Sequence, residues 1–444
     1  MAPLIQMTVL VPEGSTNHGM ENLICSPAQW TDYLIFFAIN YVAHAFTLMS
    51  PPGETTSETI MSGIWAFFVP GTGAIRSLRW IFSHAITASG AFQEALRAGA
   101  VCMVVKKKNE GLERDDWFQQ TFKGNTVRLV PIDRIIHGEC KMPDDGGYFL
   151  AEVPMGIPMK NLVPTGVTTT PDLPQGRFRR FMYERYGNTT AKTTNEINLD
   201  NLQLPRTYNV VKIVVGLIQT VYAIYTLWKA RGNQIETYGM VAFGLTVTPY
   251  AFMSILNSAA AMVTPEYPSM FLIRTPDMEA AERDGGKFGG YIATLKVDNS
   301  TLKPTNQTPL DFLDEGKKAW VYRILLTILV LVPIAVIGAL AGFKLNTSPG
   351  SSARNGWILT WLIIGSLWSF WVRLVKQMST YVWGTHRDMS LRWYKTSRNF
   401  GPWIIIWLIF AGPLCIPAIG GMVQVGMMMG EYGSCVKLSF NPFG

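Results

Sequence analysis

Seven blocks of mostly apolar residues, separated by polar stretches, constrain this chain more than any other feature. They are Trp30–Met49, Ile60–Ile75, Val210–Trp228, Met240–Val263, Val321–Phe343, Trp357–Val375 and Pro402–Val425. A helix that crosses a bilayer needs roughly 20 such residues. Ile60–Ile75 is the shortest block and carries Pro70, with Gly71 and Gly73 behind it, so a kink or partial insertion is expected there. Charged residues make up only 16% of the chain, against the usual ~25%. Trp30, Trp228, Tyr238, Trp357 and Trp403 stand at block ends, where amphipathic rings favour the headgroup level. The expected fold class is an α-helical polytopic membrane protein of about seven transmembrane helices. Two loop insertions would add a small α+β cytosolic portion.

Charge sets the expected orientation. Segments 76–207, 264–323 and 373–401 hold 18, 8 and 6 of the 38 Lys and Arg residues. Seven spans with a cytosolic N-terminus put all three on the cytosolic side, as the positive-inside rule favours, and leave the C-terminus non-cytosolic. Lys229, Arg231, Lys344 and Arg354 oppose this locally. The chain then divides into a tail (1–29), a first helical hairpin (30–75), an interfacial amphipathic region (76–105) and a basic insertion (106–207). A second hairpin (208–263), a second insertion (264–320), three C-terminal helices (321–430) and a tail (431–444) follow. In this topology Cys25 and Cys435 lie on opposite sides and do not pair. Of four Asn-x-Ser/Thr sequons, at Asn188, Asn299, Asn306 and Asn346, only Asn346 faces the exterior, so it is the candidate N-glycosylation site.

Within the insertions, VRLVPIDRII (127–136), GYFLAEVP (147–154), MFLIR (270–274) and GGYIATLKV (289–297) lean towards strands. PDMEAAER reads as a short helix. The two insertions are expected to pair into one discontinuous α+β unit. Lys106, Lys107, Lys108, Arg177, Arg179 and Arg180 form basic clusters that would attract anionic lipid of the bilayer, at roughly 1 kcal/mol per charge. A solvated basic loop explains them equally well. No nucleic-acid partner is expected.

Polar residues inside the apolar blocks fall at helical spacing. Thr246, Tyr250, Ser254 and Asn257 share one face beside Pro249. Gln219 and Tyr222 lie on a face with Lys212, which would snorkel to the interface, and with Thr226. Asn40, His44 and Thr47 share a third face. Asn40, His44, Gln219, Tyr222, Thr246, Tyr250, Ser254 and Asn257 together are the candidate intramembrane polar site, either an interhelical hydrogen-bond seam or the wall of a cavity. Gly338-x-x-x-Gly342 and Gly426-x-x-x-Gly430 read as helix-packing signals. No nucleophile–base pair, P-loop, kinase set or paired metal motif is assembled, so no catalytic residue, metal ligand or cofactor is expected.

The stretches RAGAVCMVV (97–105), VRLVPIDRIIHGEC (127–140), 216–257 and TPEYPSMFLIR (264–274) resemble an uncharacterised family of multi-pass integral membrane proteins of filamentous ascomycete fungi. The resemblance implies a fungal source and a multi-span architecture, and it carries no catalytic residues. The expected function is a non-enzymatic receptor, scaffold or transport-accessory protein. The alternative is a membrane-embedded enzyme acting on a lipophilic substrate, in fungal secondary metabolism by association. A transporter fits less well, because no inverted repeat is evident.

Overall fold

A computed structural model describes residues 11–18, 23–83, 85–106, 130, 134–143, 147–153, 162–164, 202–230, 233–295, 315–347, 351–366 and 400–437. Strand β1 (Leu23–Ser26) leads into helix α1 (Trp30–Phe37), which passes into a π-helical turn, Ala38–Val42, and a last turn, Ala43–Ala45. The second block does not cross in one piece. Helix α2 (Thr56–Phe68) starts with a Thr55–Glu58 capping box and ends at Val69. Helix α3 (Pro70–Phe82) starts at once, with Pro70 at its first turn, where a missing N–H costs nothing. The pair folds back as a hairpin, and Arg76 on α3 is ion-paired at 2.6 Å to Glu54 just before α2. The expected interfacial helix from Arg76 is thus the second arm of this hairpin. Its Ser77, Leu78, Ala74 and Ile75 are buried.

Helix α4 (Ala91–Arg97) precedes strands β2 (Val101–Lys106), β3 (Cys140–Lys141), β4 (Tyr148–Glu152) and β5 (Leu162–Pro164). The chain then makes α5 (Val210–Ala230) and α6 (Thr248–Val263), and returns with β6 (Phe271–Arg274), α7 (Pro276–Arg283), β7 (Lys287–Phe288) and β8 (Ala293–Leu295). Strands from both insertions make one five-stranded sheet, ordered β4-β2-β6-β8-β5. β2, β6 and β8 run parallel and the two edge strands antiparallel. Strand β2 shows why the sequence forms it. Val101, Met103 and Val105 point into a core with Phe92, Leu96 and Phe271. Cys102 and Val104 point into another, with Leu150, Leu272 and Met278. Burial on both faces explains the unbroken apolar run VCMVV. Thr275 caps α7, accepting from Met278 N and donating to Val104 O at 3.0 Å, which ties that helix to the sheet.

Helices α8 (Glu315–Leu340), α9 (351–366) and α10 (Phe400–Tyr432) complete the helical region, and strand β9 (Ser434–Lys437) follows. β9 pairs antiparallel with β1, and Cys25 and Cys435 form a disulfide across 410 residues. The two tails therefore share one end of the molecule, which overturns both the unpaired-cysteine reading and the placement of the termini on opposite sides.

Seven uniform transmembrane helices are not what the chain builds. Among the described residues one helix, α5, is long and apolar enough to cross a membrane, and α8 contains a shorter apolar length, Ile324–Leu340. The multi-pass reading fails for identifiable reasons. The first block is interrupted by its π-helical turn. The second breaks at Val69. The fourth begins as a turn and a 3₁₀ segment, Phe243–Val247, and is α-helical only from Thr248. Hydropathy over a window senses apolar content, not the point where a helix stops. The stretch Asn233–Tyr238, between the third and fourth blocks, is a short helix. The Gly-x-x-x-Gly signals also serve other ends: Gly338 faces Phe343 of the same chain turn, and Gly342 takes a positive φ of 59° where α8 ends.

A buried polar seam between the helices

The seam starts from α6. Pro249 at its first turn leaves no N–H to satisfy, and the residues after it that face inward are Tyr250, Ser254, Asn257 and Ser258. Helix α5 packs against that face through small residues. Gly216 lies against Ser258, where a Cβ would collide with the Ser258 hydroxyl. Close approach of backbones at small residues is how helices pack where water gives no driving force.

Each inward side chain meets a partner from another element. Thr246 Oγ1 donates to Phe243 O at 2.5 Å, so its single proton is used and Tyr41 OH must donate to it, at 2.6 Å. Tyr250 OH donates to Phe67 O. Trp361 Nε1 donates to the next carbonyl, Phe68 O, at 2.9 Å. These two ring donors satisfy carbonyls that the end of α2 leaves without helical partners. They allow the hairpin to turn inside the core. The rings of Tyr41, Tyr250 and Trp361 pack around the turn, with centroids 4.6 to 6.3 Å apart.

A second cluster lies further along α6. His44 Nδ1 meets Ser254 Oγ at 2.5 Å. Asn257 Nδ2 donates to Thr47 Oγ1 at 2.9 Å, and Thr47 donates to His44 O at 2.8 Å. Ser77 Oγ on α3 donates to Asn257 Oδ1. Asn257 thus joins three elements through both ends of one amide. Asn40 donates to Phe36 O at 3.1 Å and accepts from Thr226 on α5 at 3.3 Å. Three buried atoms in this region have no hydrogen-bond partner among the described residues: His44 Nε2, Gln219 Oε1 and Ser258 Oγ.

Of the eight expected site residues, Asn40, His44, Thr246, Tyr250, Ser254 and Asn257 are bonded into the seam. Gln219 has a buried oxygen but no bond, and Tyr222 lies 37% exposed on the outer side of α5 beside Tyr225, away from the others. Sequence reasoning missed Tyr41 and Ser77. Ser77 had a faint signal, since it stands four residues after Gly73 on the small-residue face of α3.

At the sheet end the seam closes on ion pairs. Glu266, just after α6, accepts from Lys212 Nζ at 2.6 Å, from Ser50 N and from Asn209. Lys212 is therefore paired, and also donates to Leu48 O, in place of the expected snorkelling. Gly53 exchanges backbone bonds with Tyr267 and Ile135, and Arg134 sits 3.4 Å from Glu58. These contacts fasten the helical region to the sheet.

Other expected sites separate. Lys106 ends β2, with its Nζ 5.5 Å from the centre of the Tyr148 ring and its N–H on Asp277. Lys107, Lys108, Arg177, Arg179, Arg180, Asn188, Asn299 and Asn306 lie outside the described residues. Asn346 is described: its side chain donates to Thr237 O at 2.7 Å. Cys102 and Cys140 are free, and burial raises both thiols, Cys140 to about 11. No family model, curated protein or solved structure matches this chain.

Proposed function

We propose that this is a membrane-held, non-enzymatic protein with a receptor, scaffold or transport-accessory role. The observation behind the reading is that Asn40, Thr246, Tyr250, Ser254 and Asn257 each make at least one hydrogen bond to another part of the helical region. A polar face used in this way serves assembly. The membrane part of the reading rests on α5, whose Val211, Ile218, Val221 and Trp228 are 64–72% exposed, with Gly216 and Ala223 buried behind them. An apolar face of that extent belongs in lipid.

Orientation is part of the proposal. α5 begins beside Glu266 at the sheet and, ~30 Å further on at 1.5 Å per residue, ends beside the short helix whose Tyr238 packs on Tyr432. Disulfides persist in oxidising compartments and free thiols in reducing ones. The Cys25–Cys435 end therefore faces the lumen or exterior, and the sheet, with Cys102 and Cys140, faces the cytosol. Basic residues of the insertions would then meet the anionic leaflet, as vesicle binding with and without phosphatidylserine would test.

Two aspartates on the lipid face, Ile218→Asp with Val221→Asp, test the anchor. At about 2.5–3.5 kcal/mol each for a central position, they should abolish insertion, read as loss of carbonate-resistant membrane association. A wild-type protein that carbonate extracts would sink the membrane reading.

One observation favours the second reading, an enzyme acting on a lipophilic substrate: His44 Nε2, Ser258 Oγ and Gln219 Oε1 are buried without partners. Untargeted lipid and metabolite profiles of a deletion strain decide between them. A lipophilic precursor that accumulates, and is cleared by wild type but not by His44→Gln, would favour the enzyme.

A further inference from the structure

We propose that Cys25, Cys435 and His18 form a site for a thiophilic divalent cation of the Zn²⁺ type, which opens when the disulfide is reduced. The inference needs neither the membrane reading nor the orientation given above. Main-chain geometry brings the three residues together. Gly433, at a φ of 79°, ends α10 and sends the chain into β9. β9 pairs with β1 so that Cys435 stands directly opposite Cys25. On the other edge of β1, Thr16 and Cys25 exchange both backbone hydrogen bonds, at 2.8 and 2.9 Å. Cys25 is thus fixed by bonds that do not involve its sulfur.

His18 follows two residues after Thr16. Its backbone N–H donates to Thr16 Oγ1 at 3.2 Å, and its φ is positive, at 46°. The imidazole lies flat on the Tyr432 ring, with centroids 4.7 Å apart and planes 4° from parallel. His18 Nε2 is 2.8 Å from Tyr432 O. A carbonyl only accepts, so Nε2 carries the proton and Nδ1 of the neutral ring keeps its lone pair. Metal-binding histidines are set up in this way, with one N–H on a backbone carbonyl and the other nitrogen on the ion. A His18 ring nitrogen and the two sulfurs lie within 4.8 Å of one another.

The donor set fits the ion. Zn²⁺ takes thiolate sulfur at about 2.3 Å and imidazole nitrogen at about 2.0–2.1 Å, in a tetrahedron. Two sulfurs on such an ion stand about 3.8 Å apart, a spacing that directly opposed strand residues can present. Two thiolates and one neutral ring balance the charge of the ion and leave its fourth position to water. Cys25 is buried, while Cys435 and His18 are partly exposed, so the ion enters from their side. In the opening step one thiolate of a dithiol reductant attacks a sulfur and the Cys25–Cys435 bond breaks. The second thiol of the reductant resolves the mixed disulfide, and the reductant leaves as a cyclic disulfide. Two electrons have then passed to the protein, whose two sulfurs are released as thiols. The ion displaces two protons as it binds them. An oxidising compartment favours the disulfide, so the site fills only where a reductant reaches it.

The experiment uses the full chain in detergent, reduced with a dithiol, freed of it without oxygen, and titrated with Co²⁺ as a coloured stand-in for Zn²⁺. One equivalent should give the strong visible absorption of a tetrahedral thiolate site. Zn²⁺ should bleach it, and the oxidised chain should not show it. Cys25→Ser and Cys435→Ser should each remove it, and Cys140→Ser should leave it unchanged. His18→Phe keeps a ring to stack on Tyr432 and should weaken Co²⁺ binding by at least about tenfold. A readout that needs no change at His18 is the melting temperature of the reduced wild type, which Zn²⁺ should raise, with no rise in Cys25→Ser. No absorption, although thiol counting shows two new thiols on reduction, overturns the proposal. So does absorption in the oxidised chain, unchanged binding in His18→Phe, or loss of the site in Cys140→Ser.

Discussion

The sheet and the helical region bury polar groups in different ways. In the sheet, strand pairing disposes of the backbone, and the side chains on both faces are apolar, as β2 shows with its Val101/Met103/Val105 and Cys102/Val104 faces. Each strand obeys a local alternation rule. Among the described residues of the helical region the backbone is interrupted at the π-helical turn Ala38–Val42, at Val69 and at the 3₁₀ segment Phe243–Val247. Side chains from elsewhere serve those breaks: Tyr250 and Trp361 serve the α2 terminus, and Tyr41 binds the Thr246 hydroxyl inside the 3₁₀ segment. Regular structure satisfies itself, whereas irregular structure borrows donors from distant parts of the chain.

The comparison can be broken at its strongest tie. Cys25→Ser removes a link across 410 residues and leaves the β1–β9 pair to its backbone bonds. A loss of about 2–5 kcal/mol is expected, measured as a lower melting temperature in detergent, with reductant giving the same shift in wild type and none in the variant. An unchanged melt would mean that the two strands hold without it.

The sheet end should behave as a reduced and quiet region. At pH 8 a thiol raised to about 11 has on the order of a hundredfold less thiolate than an ordinary cysteine, so Cys140 should alkylate slowly, its rate still climbing above pH 9. Cys102, which is fully buried with its thiol raised further, should react only on unfolding. Fast labelling of Cys140 near neutral pH would remove this contrast between the two ends.

Trp361→Phe keeps an aromatic ring, a smaller one, and removes the N–H that Phe68 O accepts. Leaving that carbonyl unpaired should cost about 1–3 kcal/mol, and the same change at exposed Trp357 should cost far less. Equal effects at both positions would show that the borrowed donor does not support the hairpin. The smallest effect is expected at the junction. Lys212 and Glu266 are 26% and 17% exposed, and their coupling in a Lys212→Met, Glu266→Gln double-mutant cycle should be about 1 kcal/mol, weakening with salt.

Several of these features were legible in order along the chain. PDMEAAER declared a short helix, MFLIR and GYFLAEVP declared strands, and the spacing of Thr246, Tyr250, Ser254 and Asn257 placed them on one face. The apolar block at 210–228 became, among the described residues, the one helix long and apolar enough to cross a membrane. The blocks read as six further spans carried the same kind of signal and misled. In the first, second and fourth, the composition says nothing of a π-helical turn, of a hairpin at Val69, or of a helix that begins only at Thr248.

What the sequence by itself determined is therefore what depends on neighbours a few residues away: caps, alternation, helical faces, and the apolar character of α5. Only the tertiary structure decided what those faces meet. The Asn257 amide finds Thr47 and Ser77, Lys212 finds Glu266, and Cys25 finds Cys435 at the far end of the chain. Such pairs leave no mark in any local window, because the free energy that selects them comes from burying polar groups together after the helices have packed.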